Sequence, residues 1–191
     1  YFDADGQFVG AQLTISTWRV NGNDWNISMP SLTAVALADN QVALGWQTAD
    51  GTGGPTSTTE VAYALTSLTG STASVSMSQA LANTTQTGHQ SAPLMVKTSD
   101  GGFFMAWFNA NNADPAGTVT GRYFNADGTA RTAEFNISGT LQVNANTWVN
   151  DSQPPLVGVA LADGKVAVAW VSDETTLLDG GVGPDIAHVV V

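Results

Sequence analysis

A short phrase occurs three times in this chain at nearly constant spacing. It reads PSLTAVALADNQVALGW at Pro30–Trp46, PLMVKTSDGGFFMAW at Pro93–Trp107 and PLVGVALADGKVAVAW at Pro155–Trp170. Its closing tryptophans lie 61 residues (46 to 107) and 63 residues (107 to 170) apart. Self-similarity at a fixed period of this size is typical of folds built from repeated units. The spacing therefore predicts a repeat architecture before any single residue is considered.

Two further phrases give the same period. YFDADG, which opens the sequence, returns as YFNADG at 123–128, and AQLTIS at 11–16 returns as AEFNIS at 133–138, each 122 residues later (1 to 123 and 11 to 133). The middle copy is degenerate and reads VAYALTSLTG at 61–70. We therefore expect three units, the first beginning and the last ending inside a strand, at residues 1–61, 62–121 and 122–191.

Each unit is expected to contain four antiparallel strands and no helix. The apolar runs are short, rich in β-branched and aromatic residues, and bounded by Gly, Asp, Asn or Pro, without a sustained 3.6-residue stripe. Asp-Asn or Asp-Gly pairs at 39–40, 100–101 and 163–164 predict type I′ hairpin turns. The strands are expected at 32–37, 41–46, 60–65 and 12–16, with counterparts at 94–97, 102–107, 118–124 and 134–138, and at 156–161, 165–170 and 185–191.

Four antiparallel strands in about 60 residues are typical of a β-propeller blade. Three blades do not close a ring, since about four is the usual minimum. The expected fold is therefore all-β, with three propeller blades in an incomplete ring. Its closure needs additional blades from a longer parent chain or another copy of this chain. An open β-rich array or a pair of β-sandwich domains is the structural alternative.

Composition excludes some partners and leaves the compartment open. The formal net charge is −11 with five basic residues, which argues against binding nucleic acid or an acidic membrane surface. No apolar run is long enough to span a membrane. Cysteine is absent, so no disulfide can stabilise the fold. These features fit a secreted or cell-surface bacterial protein.

The repeated pattern resembles a known class of tandem repeats. Two segments carry the resemblance. They are the P-x-x-x-x-x-L-x-D-G-x-x-x-x-x-W run ending at Trp170 and the R-Y-F-x-A-D-G run at 122–128. This pattern is similar to the propeller-like repeats of large secreted RTX-type and other calcium-associated bacterial adhesins. The resemblance implies an extracellular adhesive module. The glycine-rich nonapeptide that binds calcium in RTX repeats is absent, so the resemblance does not imply calcium binding here.

Calcium is nevertheless a candidate ligand on other residues. Asp3 and Asp5 precede Gly6, and Asn125 and Asp127 repeat the same arrangement. Oxygen ligands two residues apart on a turn suit a hard cation. Gln7 or Thr129 follows where a complete loop would need further carboxylates, so an ordinary hairpin turn explains the pattern as well.

Aromatic residues suggest a second candidate ligand, a surface glycan. The three repeated tryptophans are expected in the core, whereas Trp25 and Trp148 lie in polar, Asn-rich segments and His89 occupies the comparable loop of the middle unit. Loops at one rim of a propeller are a common ligand site, and exposed aromatic rings there could stack on sugars. The alternative is that these tryptophans fill gaps between adjacent blades.

Catalysis has little support in the sequence. Only His89 and His188 are available as histidine bases, and neither accompanies a nucleophile-elbow motif. The expected function is a non-enzymatic structural or adhesive module, acting as a rigid spacer or a protein-interaction platform. The alternative is a carbohydrate-binding or carbohydrate-processing propeller. We expect no catalytic residues and no certain cofactor.

Overall fold

The described part of the chain contains β-strands and no helix. A computed structural model describes residues 5, 7, 12–18, 32–38, 40–48, 59–70, 72–111, 114–139, 143, 156–172 and 185–191. The strands are β1 (Leu32–Ala36), β2 (Gln41–Thr48), β3 (Glu60–Thr69), β4 (Thr72–Leu81), β5 (His89–Lys97), β6 (Phe103–Asn111), β7 (Asp114–Phe124), β8 (Phe135–Asn136), β9 (Val157–Ala160), β10 (Val166–Ser172) and β11 (Asp185–Val190). The all-β prediction is confirmed for these residues.

The strands form three antiparallel sheets in chain order. The first sheet is β1-β2-β3-β4, the second is β5-β6-β7-β8, and the third is β9-β10-β11. The recurring tryptophan lies at the same place in each second strand, opposite Ala62 in β3, Thr120 in β7 and Ala187 in β11. The repeated segment that ends at the tryptophan therefore forms the first hairpin of each sheet.

The turn of this hairpin has a different type from the one predicted. In the second sheet the Thr98 amide donates to the Gly102 carbonyl at 3.0 Å, and the Gly101 amide donates back to Thr98 at 3.2 Å. Gly101 has a φ of 90°, whereas Asp100 is not in the left-handed region. This is a type I turn followed by a glycine bulge, which needs one left-handed residue where a type I′ turn needs two. Gly164 supplies that residue in the third hairpin, and Asn40 has a φ of 59° at the matching position of the first, where Asp39 lies outside the described residues.

The fourth strands depart most from the prediction. Residues 74–78 extend into a ten-residue β4, but 134–138 give only the two-residue β8, and 12–16 form no strand. A strand exists only where another strand supplies a hydrogen-bonding edge. Within the described residues, 12–16 have no such edge. The strands of the three sheets lie within residues 32–81, 89–136 and 157–190, and the unit boundaries at 1–61, 62–121 and 122–191 stay a prediction.

The sheets stack face to face, with the second in the middle. Side chains alternate along a strand, so β6 sends two sets of residues in opposite directions. Phe103, Met105 and Trp107 join a core shared with the first sheet. Phe104, Ala106 and Phe108 join a core shared with the third. Both faces of the middle sheet are therefore buried.

The three repeated tryptophans are buried, as expected. Trp46 is 1% exposed, Trp107 0% and Trp170 2%. Trp107 faces the first sheet, Trp170 faces the second, and Trp46 packs with residues of the N-terminal segment. Each tryptophan thus points to the same side of its own sheet, toward the sheet or segment that precedes it in the chain.

Small residues allow neighbouring sheets to approach one another closely. β1 packs on β5 and β5 packs on β9. A Cβ atom at Gly45 would lie 3.0 Å from Met105 Cε, and one at Gly158 would lie 2.7 Å from Leu94 Cδ2. The glycines therefore mark where a neighbouring sheet fits against the backbone.

Replacement of the repeated tryptophans should destabilise the protein to a similar extent. Trp46→Ala, Trp107→Ala and Trp170→Ala should each lower the free energy of unfolding by about 3–5 kcal/mol, because each leaves a large cavity. Trp18→Ala is the matched control, since Trp18 is only half-buried, and it should cost clearly less. Urea denaturation followed by circular dichroism measures all four. A Trp107→Ala loss no larger than that of Trp18→Ala would contradict the shared core role.

Candidate functional site

The turn after β7 holds two of the candidate calcium ligands. The Asn125 amide donates to the Thr129 carbonyl at 2.9 Å, and Gly128 has a φ of 85°. The Asp127 carboxylate accepts hydrogen bonds from the Thr129 amide at 2.8 Å and the Thr129 hydroxyl at 2.6 Å. These bonds lower the pKa of Asp127, and the carboxyl group is exposed. Both hydrogen bonds go to Asp127 Oδ1, so contacts within the turn account for its shape.

The corresponding N-terminal turn is only partly described. Asp5 is exposed in a turn, and Asp3 lies outside the described residues. In the described ranges no group of three or more His, Cys, Asp or Glu side chains is placed to hold a metal ion. Calcium at Asp3, Asp5, Asn125 and Asp127 stays a prediction.

The candidate glycan ligands fall mostly outside the described residues. Trp25 and Trp148 are both outside, while His89 is half-buried at the start of β5, where burial lowers its pKa. Trp18 lines a shallow surface groove with the polar side chains of Thr14, Thr17 and Gln79. Within the described residues, no contact joins His89 to Asp5, Asn125 or Asp127.

One buried carboxyl group was not singled out by the sequence. Glu60, at the start of β3, is 1% exposed. Its carboxylate accepts a short hydrogen bond from the Asn83 amide nitrogen. Asn83 also donates to the Thr85 carbonyl at 3.0 Å and accepts from the Val61 amide at 2.9 Å. Asn83 thereby joins β3 to the loop that leads from the first sheet to the second.

Residues in and beside the second sheet also form hydrogen bonds with this loop between the first two sheets. The Glu134 carboxylate accepts hydrogen bonds from the Thr84 amide and, at 2.9 Å, from the Thr85 hydroxyl. The Arg122 guanidinium donates to the Ala82 carbonyl at 3.0 Å. We call Glu60, Asn83, Arg122 and Glu134 the inter-sheet polar cluster. It fixes the loop that sets how the first two sheets are placed.

Burial raises the pKa of one member of this cluster, Glu60. Desolvation raises the pKa of Glu60, the hydrogen bond from Asn83 opposes that rise, and the nearby Glu134 adds to it. Two carboxyl groups in different environments are the usual basis for acid-base chemistry. Here, however, the Asn83 amide occupies Glu60, and backbone and hydroxyl groups of the loop occupy Glu134. The geometry suits a set of contacts that holds the loop in place better than it suits a reaction site.

A weak sequence signal for the cluster was present. Glu60 opens the apolar run EVAYAL, and a carboxyl group at that place needs a buried partner. Neither the partner nor its distance can be read from the sequence, because Asn83 lies 23 residues away in a loop.

The middle of β5 contains a further concentration of irregular features. Ala92 has a φ of 50°, and the register with β6 shifts between Ser91 and Leu94. Gln90 Oε1 and Ser91 Oγ are buried, and neither has a hydrogen-bond partner among the described residues. Pro93 follows and cannot donate to the ladder, so a bulge at this point is expected.

The part of the chain that the structure describes contains no helix long and apolar enough to cross a membrane. Comparison with protein-family models and with curated protein sequences finds no match.

Replacement of Glu60 by glutamine should remove one component of the pH dependence of stability. A carboxyl group with a raised folded-state pKa binds its proton more tightly when folded, so stability falls as pH rises from about 4.5 through the raised value. Glu60→Gln should lose this fall and gain stability relative to wild type by up to about 1.4 kcal/mol per pH unit within that window. Urea denaturation between pH 4 and pH 8 measures the difference.

Asp163→Asn is the control for this experiment, since Asp163 is exposed and its pKa is lowered rather than raised. Its pH-dependent window lies below the ordinary carboxyl pKa of 3.8, so its stability relative to wild type should stay nearly constant between pH 4 and pH 8. A constant difference between Glu60→Gln and wild type across the range would contradict the raised pKa of Glu60.

Proposed function

We propose that this chain is a non-enzymatic structural or adhesive repeat module of a secreted or cell-surface bacterial protein. The single observation that carries the proposal is the stacking of three sheets through the same strand positions. Most large side chains serve that stacking, including the repeated tryptophans. A protein built in this way is a stiff body whose loops are available for contacts.

We further propose that each sheet is a propeller blade. The supporting features are the strand order β1-β2-β3-β4 within a sheet, the face-to-face packing, and the close approach of the first strands. In a propeller the first strand of each blade lies nearest the axis, so neighbouring blades converge there. An open array is the alternative architecture, and it would not require the sheets to converge on one side.

The extracellular location and adhesive role rest on the sequence pattern. The resemblance to RTX-type adhesin repeats, the acidic composition and the lack of cysteine favour a bacterial surface protein. As a rigid spacer, the module would hold other parts of such a protein away from the cell. As an interaction platform, it would present its long polar loops to a partner protein.

The polar residues of the described part also favour a structural role. The buried glutamate holds a loop, the acidic turns are closed by their own hydrogen bonds, and His89 has no acidic or hydroxyl partner among its described contacts. A carbohydrate-binding propeller remains the second candidate. The observation that favours it is the groove beside Trp18, where an aromatic ring adjoins the amide of Gln79.

A glycan array separates the two functions. The structural module predicts no saturable glycan binding by the wild-type chain. Trp18→Ala, Trp25→Ala and Trp148→Ala should then behave like wild type on the array. Saturable binding that is lost in one of these variants, with an unchanged circular dichroism spectrum, would overturn the structural proposal in favour of the carbohydrate one.

A further inference from the structure

The outward face of the third sheet is apolar, and no other described element packs on it. It consists of the side chains that point away from the second sheet, and its most exposed members are Val157 (56%), Val159 (59%), Ile186 (77%) and Val190 (47%). Ala167, Ala169, Val171 and His188 share this face by strand register. In a chain with 16 acidic residues, the face contains no carboxylate. An uncovered apolar face of this kind indicates an interaction surface.

The buried interfaces of the same molecule show what fits such a face. Counted from the recurring tryptophan, Ala167 and Ala169 correspond to Phe104 and Ala106, which contact the third sheet, and to Ala43 and Gly45, which contact the second. In both buried interfaces the partner is the tryptophan-bearing face of the next sheet. The outward face of the third sheet therefore has the half of the interface that accepts a tryptophan-bearing face.

The other half of the interface lies at the opposite end of the stack. The outward face of the first sheet holds Trp46 and Leu44, which correspond to Trp107 and Met105. Its β1 portion is uncovered, with Leu32 64% exposed and Ala34 and Ala36 also exposed. The two outward faces of one chain are thus complementary by the same pairing that holds its three sheets together.

The outer strand of the third sheet, β11, lacks a second partner strand among the described residues. β3 pairs with β4 and β7 pairs with β8, whereas in the described residues β11 pairs only with β10. The β11 sequence DIAHVV has no lysine or internal proline to discourage pairing. Its free edge can therefore receive a strand from another chain.

The N-terminal segment has the sequence and the position of that missing strand. Residues 11–16 (AQLTIS) repeat residues 133–138 (AEFNIS), which contain β8. Ile137 belongs to the core around Trp170 of the following sheet, and Ile15 packs in the same way with the core around Trp46. Residues 12–16 thus lie against the first sheet as the segment containing β8 lies against the third.

From these correspondences we infer that a second copy of this chain completes the third sheet. Residues 12–16 of the second copy pair with β11, and the outward face of its first sheet covers Val157, Val159 and Ile186. By the register of β7 with β8, where Gly121 lies opposite Phe135, His188 lies opposite Leu13 of the second copy. We call this contact the head-to-tail joint.

The number of copies follows from the propeller assignment of the proposed function, on which this step rests. Propellers have about 4–8 blades, and six is the only multiple of three in that range. Two copies of the three described sheets, joined at both ends, would give six sheets. The expected assembly is therefore a closed dimer with two identical joints.

Mass measurement in solution tests the joint. Light scattering after size exclusion should give twice the 19.7 kDa of one chain. Ile186→Lys and Val159→Lys should weaken the dimer on the order of 100-fold, because an unpaired ammonium group would be buried. Ala162→Lys, in the exposed turn between β9 and β10, adds the same charge to the same sheet outside the joint and should leave the dimer intact.

A designed disulfide tests the register independently of affinity. The chain has no cysteine, so Leu13→Cys combined with His188→Cys creates one pair that can meet only where residue 13 reaches β11. Oxidation should give a covalent species of twice the monomer mass, and Leu13→Cys with Ala162→Cys should give only background cross-linking. A cross-linked monomer would overturn the second copy as the occupant.

A wild-type monomer at micromolar to millimolar concentration would overturn the joint. Open-ended polymers that dissociate in Ile186→Lys would support the joint and contradict the closed ring, and with it the propeller assignment. A dimer unaffected by both lysine variants would show that association uses another surface, which also overturns the joint.

Discussion

Every sheet in this protein has two apolar faces, and each face must be covered. In the second sheet this requirement is fully met, because β6 directs Phe103, Met105 and Trp107 to one neighbour and Phe104, Ala106 and Phe108 to the other. A four-stranded unit with this pattern cannot be stable alone in water, since it would expose one or both faces. The stack is therefore the smallest arrangement that buries the middle sheet. The turns, the glycines and the inter-sheet polar cluster all serve to bring the sheets into that stack.

The same requirement explains why polar chemistry is sparse in the described core. Glu60 is buried, but Asn83 binds its carboxylate and the result is a fixed loop between two sheets. Asp127 and Asp163 close turns by accepting hydrogen bonds from residues two positions later in the chain. In these contacts Asp127 and Asp163 stabilise turns, and Glu60 holds a loop in place. This distribution fits a protein whose role is to present a rigid surface.

Much of the fold can be predicted from the sequence, because local patterns determine it. The first hairpin of each sheet follows from the apolar runs and the Asp-Gly or Asp-Asn pair, and burial of Trp46, Trp107 and Trp170 follows from their repetition. The turn type could not be predicted in the same way, since Asp-Gly suits both a type I′ turn and a type I turn with a bulge. The strand predicted at 12–16 is absent from the structure, because a strand needs a hydrogen-bonding edge, which the local sequence does not contain.

The candidate site is harder to predict for the same physical reason. The Glu60–Asn83 contact joins residues 23 positions apart, and Glu134 reaches the same loop from 49 and 50 residues away. Such contacts arise from the packing of sheets and leave no periodic trace in the sequence. The outward face of the third sheet, in contrast, becomes recognisable once Ala167 and Ala169 are aligned with their buried counterparts.

Hydrogen exchange at β11 tests most directly whether the third sheet is completed in the way the other two are. The peptide 185–191 should be compared in wild type and in Val159→Lys, since that substitution lies outside the peptide and leaves its intrinsic exchange rates unchanged. The head-to-tail joint predicts strong protection of this peptide in wild type and faster exchange of its outer-edge amides in Val159→Lys. Equal exchange of 185–191 in the two proteins would contradict completion of the third sheet by a second copy.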